Sequence, residues 1–494
     1  MTNRDRVRAL VGVVLTLVLV VPLGLMWWHS RLPSSYSAMD MGEMDYGGGS
    51  HAATHAHGSM QMAGRAVSVN RFDTPEDRKA DVVVHLVVRQ GMVRLADGQR
   101  VAGYTVNGTS PGPLIEATEG QLVEVHLHNA DVPDGVTLHW HGVDVPNAED
   151  GVAGVTQDAV EPGHDYTYRW VARHAGTYWY HSHQVSHEQV EGGLLGGILI
   201  HPRSPEARVR DVMAVAHLYA GDETINGRRG FSTVTAEPGQ RVRVRVVNTD
   251  IGPQALWAST PYQLVASDGY DVNKPTEVRD RAVVLPAGGR ADLEATVPSD
   301  GSAIRVTYSG DTGLLIGPKG AKAPLAAQPA VNLDLLHYGS PAQVGFDTGK
   351  VDRRFTYSIG RRPGFLNGKP GMWWSVNGKI GRAMPMFVVS EGDVVHVRIS
   401  NHSGQVHPMH LHGHHAVVLS RDGKPVTGSP WWFDSLDVGN GQSFEIAFLA
   451  DNPGIWMDHC HNLKHAKDGL VTHLMYEGVT TPYKLGKDSG NEPE

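Results

Sequence analysis

GQLVEVHLHN (120–129), GQRVRVRVVN (239–248) and GDVVHVRISN (392–401) are three versions of one segment. Each opens on glycine, closes on asparagine and alternates apolar with polar residues in between. Such alternation turns one face of a strand towards a core and the other towards solvent. An Asn-Gly pair lies upstream of each copy, at Asn107–Gly108, Asn226–Gly227 and Asn377–Gly378. A second glycine spacing lies downstream, Gly163 to Gly176, Gly288 to Gly301 and Gly441 to Gly454. Asn-Gly supplies the positive φ that tight turns need. Three spacings recurring in three places predict an all-β chain of three homologous sandwich or barrel domains, 66–204, 205–345 and 350–482.

The rest of the composition agrees. The 494 residues suit three domains of ordinary size, and 58 Gly with 29 Pro suit turn-rich β structure. A formal net charge of −9 without a basic run gives no support for nucleic-acid binding. One cysteine excludes an internal disulfide. At the N-terminus Arg4, Arg6 and Arg8 precede a largely apolar run from Ala9 to Trp28. That run approaches the ~20 residues that span a bilayer, and basic residues ahead of it predict a cytoplasmic N-terminus. We expect residues 1–30 to form a transmembrane signal anchor. A cleaved signal peptide is the alternative, since small residues occupy Ser35 to Ala38. Either reading exports the body, to the outer face of the cytoplasmic membrane (cell surface or periplasm) or into the medium. Residues 31–65, rich in Met, His, Gly and Ser, read as a flexible linker, 320–350 as a connection, and 483–494 as a disordered polar tail.

The chemistry lies in the histidines. HCHNLKH (459–465) contains the single Cys460. A thiolate beside imidazoles suits a transition metal, and Cys with two His is a blue-copper ligand set. In a strand, His459 and His461 share one face while Cys460 takes the other, so one segment can serve two metal centres. LHWHG places His139 and His141 after the first repeat, and HPMHLHGHH places His407, His410 and His412 after the third. The stretch after the second repeat, ALWAST, has none. Past the downstream glycines stand His181 and His183, then Val306 and Tyr308, then His459 and His461. A single His-x-His pair is weak. Four pairs at matching places in the outer copies predict that those two domains meet around shared metals, with the middle domain mainly a spacer.

HWHG (139–142), HSH (181–183), HPMHLH (407–412) and HCHNLKH (459–465) together resemble the copper motifs of three-domain multicopper oxidases of the laccase type, over roughly residues 66–480. The resemblance implies cupredoxin-like Greek-key domains and four copper ions. By position, His407, Cys460 and His465 would hold the type-1 ion, and His139 and His410 the type-2 ion. His141, His181 and His461 would hold one type-3 ion, and His183, His412 and His459 the other. Leu470 stands where many relatives carry an axial methionine, implying a three-coordinate type-1 site of raised potential. Asp150, in NAEDG, matches the acid that assists protons at the cluster. The second acid of some relatives is missing, with Leu463 and Ala466 in its place and Asp468 displaced.

The same resemblance implies an enzyme that couples four one-electron oxidations of a small reductant to reduction of dioxygen to water. Cys460, His465 and Asp150 are the expected catalytic residues. Phenols and aromatic amines are the first substrate class. Cu(I) is the second, supported by Met39, Met41, Met44, Met60, Met62, His51, His55 and His57 in the linker. A cupredoxin scaffold that binds copper without turnover is the non-enzyme alternative. His187, Glu188, His414 and His415 are expected behind the ligands or on the surface. Trp373, Trp374, Trp431 and Trp432 with Met372, Met384 and Met386 are candidates to line the approach to His465. Oligomeric state is not legible.

Overall fold

A computed structural model describes residues 3–48, 66–74, 77–204 and 209–494. The three repeats fold alike. Each is an inner strand pairing in parallel with an earlier one: Leu122–Asn129 with Val82–Arg94, Arg241–Asn248 with Val209–Tyr219, and Val394–Asn401 with Arg353–Leu366. Even the register is shared, with the closing asparagines opposite Val88, Ala216 and Ile359.

The asparagines explain their own recurrence. Asn129, Asn248 and Asn401 are fully buried, and each side-chain amide donates to two loop carbonyls: Val132 and Val160, Gly252 and Leu285, Gln405 and Val438. Each backbone carbonyl accepts the N–H of the downstream glycine, Gly163, Gly288 or Gly441. A buried amide is tolerated only when so satisfied. The turn asparagines Asn107, Asn226 and Asn377 sit at φ 52° and accept the N–H groups of Val87, Val215 and Ser358. One local solution serves all three copies.

Around each inner strand two sheets face one another. The first pair has four strands each, the second six and five, and the third seven and six. Each pair encloses its own apolar cluster, centred on Trp140 and Trp170 in the first, Leu293 and Ile304 in the second, and Phe355, Phe387 and Trp456 in the third. The histidine-bearing strands hold equivalent places in these sheets, although His139–His141 is the edge strand of its own. His139 faces His181 and His410 faces His459 across the strand pairs, where the middle sandwich has Ala258 facing Val306.

Three expectations change. The tail 483–494 is docked rather than disordered: Val185 N–H donates to Glu492 O, Glu492 N–H to Gln184, and the Asn491 amide to Asp158. The stretch before residue 49 is not a free linker either. Glu43–Asp45 joins the six-stranded sheet beside Pro385–Val389, Tyr36 pairs with Leu485, and Met39 sulfur accepts from Thr481 N–H. His51, His55, His57, Met60 and Met62 lie outside the described residues. Finally, the middle sandwich is more than a spacer, as its contacts below show. The helix Asn3–Ser30 (28 residues) has no buried residue and is long and apolar enough to cross a membrane.

Candidate metal centres

The strand Ile455–Cys460 runs into a short helix, Leu463–Lys467, and this corner forms the first centre. Cys460 Sγ lies 3.5 Å from His407 Nδ1 and 3.7 Å from His465 Nδ1, which are 3.2 Å from each other. A point equidistant from the three donors is about 2 Å from each, an ordinary first-row metal–imidazole distance. His407 is aimed by its other nitrogen, 2.7 Å from Ser403 Oγ. Leu470 is fully buried beside them, accepting Cys460 N–H through its backbone while its N–H donates to His465 O. Burial and then the His465 ring push His407 down to about 3, and burial pushes His465 down to about 4. Both are thus neutral, the ligating form.

The second centre lies between the outer sandwiches. Asn147 and Ile455 exchange two hydrogen bonds across that seam, and the Asn452 amide donates to Val145 O. Inside it His139, His141, His181, His183, His410, His412, His459 and His461 are all 2 % exposed or less. Eight imidazoles in one dry space would be expensive without a common partner. Six carry ring nitrogens with no hydrogen-bond partner: Nε2 of His139, His181 and His410, Nδ1 of His141, and both nitrogens of His183 and His461. The remaining two point Nε2 at Nε2 across 3.2 Å. Three triplets have donor atoms within 4.8 Å of one another: His139–His141–His181, His139–His410–His412 and His183–His412–His459. Orphaned, convergent, neutral nitrogens are the donor set of a multinuclear transition-metal site. Burial, followed by the neighbouring imidazoles, holds His181, His183, His412 and His461 well below the usual histidine range.

Carboxylates aim these rings. Asp150 is the one expected, and it reaches two of them: Oδ1 is 3.1 Å from His139 Nδ1 and Oδ2 3.0 Å from His412 Nδ1. Asp434, which sequence reading missed, touches His141 Nε2 at 3.1 Å, and its backbone carbonyl takes His410 Nδ1–H at 2.9 Å. Glu494 was also missed; its Oε1 is 3.3 Å from His459 Nδ1 while Oε2 accepts from Ser186. Asp468 stays on the first centre's loop, with no hydrogen bond to this cluster.

The middle sandwich closes the space. Fully buried Arg290 forks onto Asp434 and donates to Thr177 O at 3.1 Å. Asp268 accepts the backbone N–H groups of Asp434 and Ser435. A side chain at Gly288 would come within 2.9 Å of both His141 and His461, so the wall there must be glycine. The one sequence signal is a cation at Arg290 where the corresponding repeat positions hold Asp165 and Ser443. His415 bridges Asp144 and Asp434; burial alone would lower its pKa, but the two carboxylates override that and raise it to about 10. His414 is buried against Tyr476 OH at 2.7 Å, while His187 and Glu188 meet Lys467 near the surface.

Of the aromatic and methionine candidates, one lines the first centre directly. Trp374 packs on His407 and His465 with ring centroids 4.7 and 4.4 Å away. Trp431 packs on Phe444 and Trp432 on Tyr270, away from His465, and Met384 and Met386 are core residues. Trp431 and Trp432 do line a small cleft, shared with Ser267, Tyr270 and Tyr338 of the middle sandwich and not with His465.

Two family models, each described as multicopper oxidase, match residues 87–205 and 350–478, the segments that carry both centres. The chain is 28 % identical over 449 residues to the multicopper oxidase MmcO of Mycobacterium tuberculosis, covering 77 % of this chain and 84 % of that one. It is 27 % identical to Laccase-1 of Melanocarpus albomyces, covering 78 % and 76 %. The crystal structure of a multicopper oxidase from Pseudomonas thermotolerans superposes with TM-score 0.65 at 24 % identity, over 80 % of this chain and all of that one. Donor geometry and likeness agree: the chain belongs to the multicopper oxidase family and is a copper-dependent oxidoreductase with type-1, type-2 and type-3 copper sites.

Proposed function

We propose that the chain is an exported, membrane-anchored oxidase of laccase type, which takes electrons singly from phenols or aromatic amines and passes them to dioxygen. The observation that carries this is the convergence of eight unsatisfied imidazoles beside a separate Cys–His–His corner. His407, Cys460 and His465 would hold the type-1 ion, and His139 and His410 the type-2 ion. His141, His181 and His461 would hold one type-3 ion, and His183, His412 and His459 the other. The domains run 66–204, 205–345 and 350–482, with copper ligands in the outer two. Bound copper supplies the one-electron redox chemistry and the affinity for dioxygen.

The chain's own residues do the rest. His465 is half-buried and Trp374 closes one side of it, so a flat aromatic donor can approach the imidazole edge. Cys460 is bonded directly to His459 and His461, giving a covalent route between the centres. Asp150 fixes the tautomers of His139 and His412 by accepting at Nδ1, which leaves each Nε2 to face the shared space. Glu494 beside His459 and Asp434 beside His141 are two further carboxylates that orient the cluster's rings. Leu470 offers no donor atom and keeps the corner dry.

Cu(I) oxidation is the second reading, favoured by Met372, a soft thioether 52 % exposed on the strand that carries Trp374. Copper content and spectra test the ligand assignment: about four ions per chain with an intense thiolate band supports it, and fewer than two ions refutes it. Steady-state rates with a methoxyphenol and with Cu(I) separate the substrates; a preference for Cu(I) of a hundredfold or more would overturn the first reading.

A further inference from the structure

We propose that the type-1 face rests on the membrane surface and that its electron donor is a hydroquinone dissolved in the bilayer. This builds on the reading of Asn3–Ser30 as a membrane span and His465 as the point of electron arrival.

The link is a β-hairpin, Arg353–Leu366 paired with Lys369–Val376. Its tip is bolted to the end of the apolar helix. Trp27 Nε1–H donates to Gly368 O at 3.1 Å, Gly368 N–H to Ser30 Oγ at 3.0 Å, and Leu32 N–H to Asn367 Oδ1 at 3.2 Å. Its root holds Trp374, packed on both type-1 imidazoles. From Gly368 to Trp374 an extended strand covers roughly 20 Å. Leu366 leans over the His465 loop, 3.4 Å from where a Cβ on Gly469 would stand. The strand Glu43–Asp45 then ties the chain leaving the helix into the sheet that contains Cys460, so the helix root and the copper corner move as one body.

The hairpin's composition fits a headgroup layer. Between residues 354 and 382 stand Arg354, Arg361, Arg362, Lys369, Lys379 and Arg382 with no acidic residue in that stretch, in a chain of formal net charge −9; Lys379 is paired with Glu43. Phe365, Leu366, Met372 and Trp373 are interspersed, all at least partly exposed. Cations among aromatic and aliphatic side chains are what an anionic lipid interface selects. A donor reaching His465 from this side comes out of the bilayer, and a hydroquinone is both lipid-soluble and a phenol. Two hydroquinones release four electrons and four protons; one dioxygen takes all eight to give two waters, and two quinones remain in the membrane.

The test uses the full copper-loaded chain in vesicles of neutral and anionic phospholipid. A nitroxide at Met372→Cys should be shielded from a water-soluble relaxant, whereas one at Thr233→Cys, exposed on the middle sandwich, should be open to it. A hydroquinone with a long alkyl tail should be oxidised at least about tenfold faster than the same head group without one. Arg362→Glu with Lys369→Glu should remove that advantage, since each basic residue at an anionic surface contributes severalfold, while the tail-less rate stays put. Equal relaxant access at 372 and 233 would overturn the membrane contact. Equal rates for the two hydroquinones would overturn the lipid donor. Oxidation of Cu(I) but of neither hydroquinone would overturn the phenol reading beneath it, with the nitroxide result still deciding the contact.

Discussion

Replacing Arg290 by Met should destabilise the folded chain by about 3–5 kcal/mol, the usual loss when one partner of a buried ion pair is removed. The upper end is expected here. The guanidinium is fully buried and forks onto Asp434; it also serves Thr177 O and lies 3.5 Å from Asp268. Methionine fills similar volume, so the loss reports polar chemistry rather than a cavity. It leaves two carboxylates and a carbonyl in a dry seam, with charged His415 as the remaining cation on Asp434. Arg290→Lys keeps the charge but loses the fork, and should cost about half as much. Denaturant titration of the copper-free protein separates the fold from metal loading. The same variant, reloaded, should show weakened type-2 and type-3 copper, because Asp434 no longer holds His410 and His141. A loss below about 1 kcal/mol, with ordinary type-2 spectra, would refute the claim that the middle sandwich builds the cluster wall.

Other outcomes follow from single contacts. Asn401→Ala removes two buried donors from loop carbonyls and should cost about 2–4 kcal/mol by denaturant titration; Asn129→Ala should cost the same, being the same lock. Glu149 is raised to about 7 by burial. Its folded form therefore binds its proton more tightly than the unfolded form, so stability is lost as pH rises from about 4.5 through 7. The advantage of Glu149→Gln over the parent should grow to roughly 3 kcal/mol across that window, and a pH-independent difference would contradict it. Cys460→Ser should abolish the blue band and turnover while circular dichroism stays unchanged. Leu470→Met offers an axial thioether and should lower the type-1 potential, read by redox titration.

The fold was legible because its turns demand particular residues. Only a residue tolerant of positive φ sits at 107, 226 and 377, and only a short amide reaches two loop carbonyls from 129, 248 and 401. The ligands were legible for a similar reason: strand periodicity puts His139 and His141, or His459 and His461, on one face. What aims them was not legible. Arg290 meets Asp434 across 144 positions and Glu494 meets His459 from the end of the chain, and no local spacing marks such pairs. The segment 483–494 has the composition of a solvated tail. Its order comes from bonds to backbone and amide groups of distant loops, which composition does not reveal. Trp431 and Trp432 misled because composition shows an aromatic pair but not its neighbours, and the cleft they line belongs with Tyr270 and Tyr338.

The Ala258–Val306 pair, where the outer sandwiches place His139–His181 and His410–His459, separates two kinds of information. The middle copy reaches the shared architecture with ordinary hydrocarbon at those sites, so the imidazoles contribute nothing the scaffold needs in order to form. Facing polar rings inside a dry seam instead weaken the outer copies until cations arrive to satisfy them. The copper-free polypeptide is therefore a looser object than the finished catalyst, and metallation is the event that hardens it.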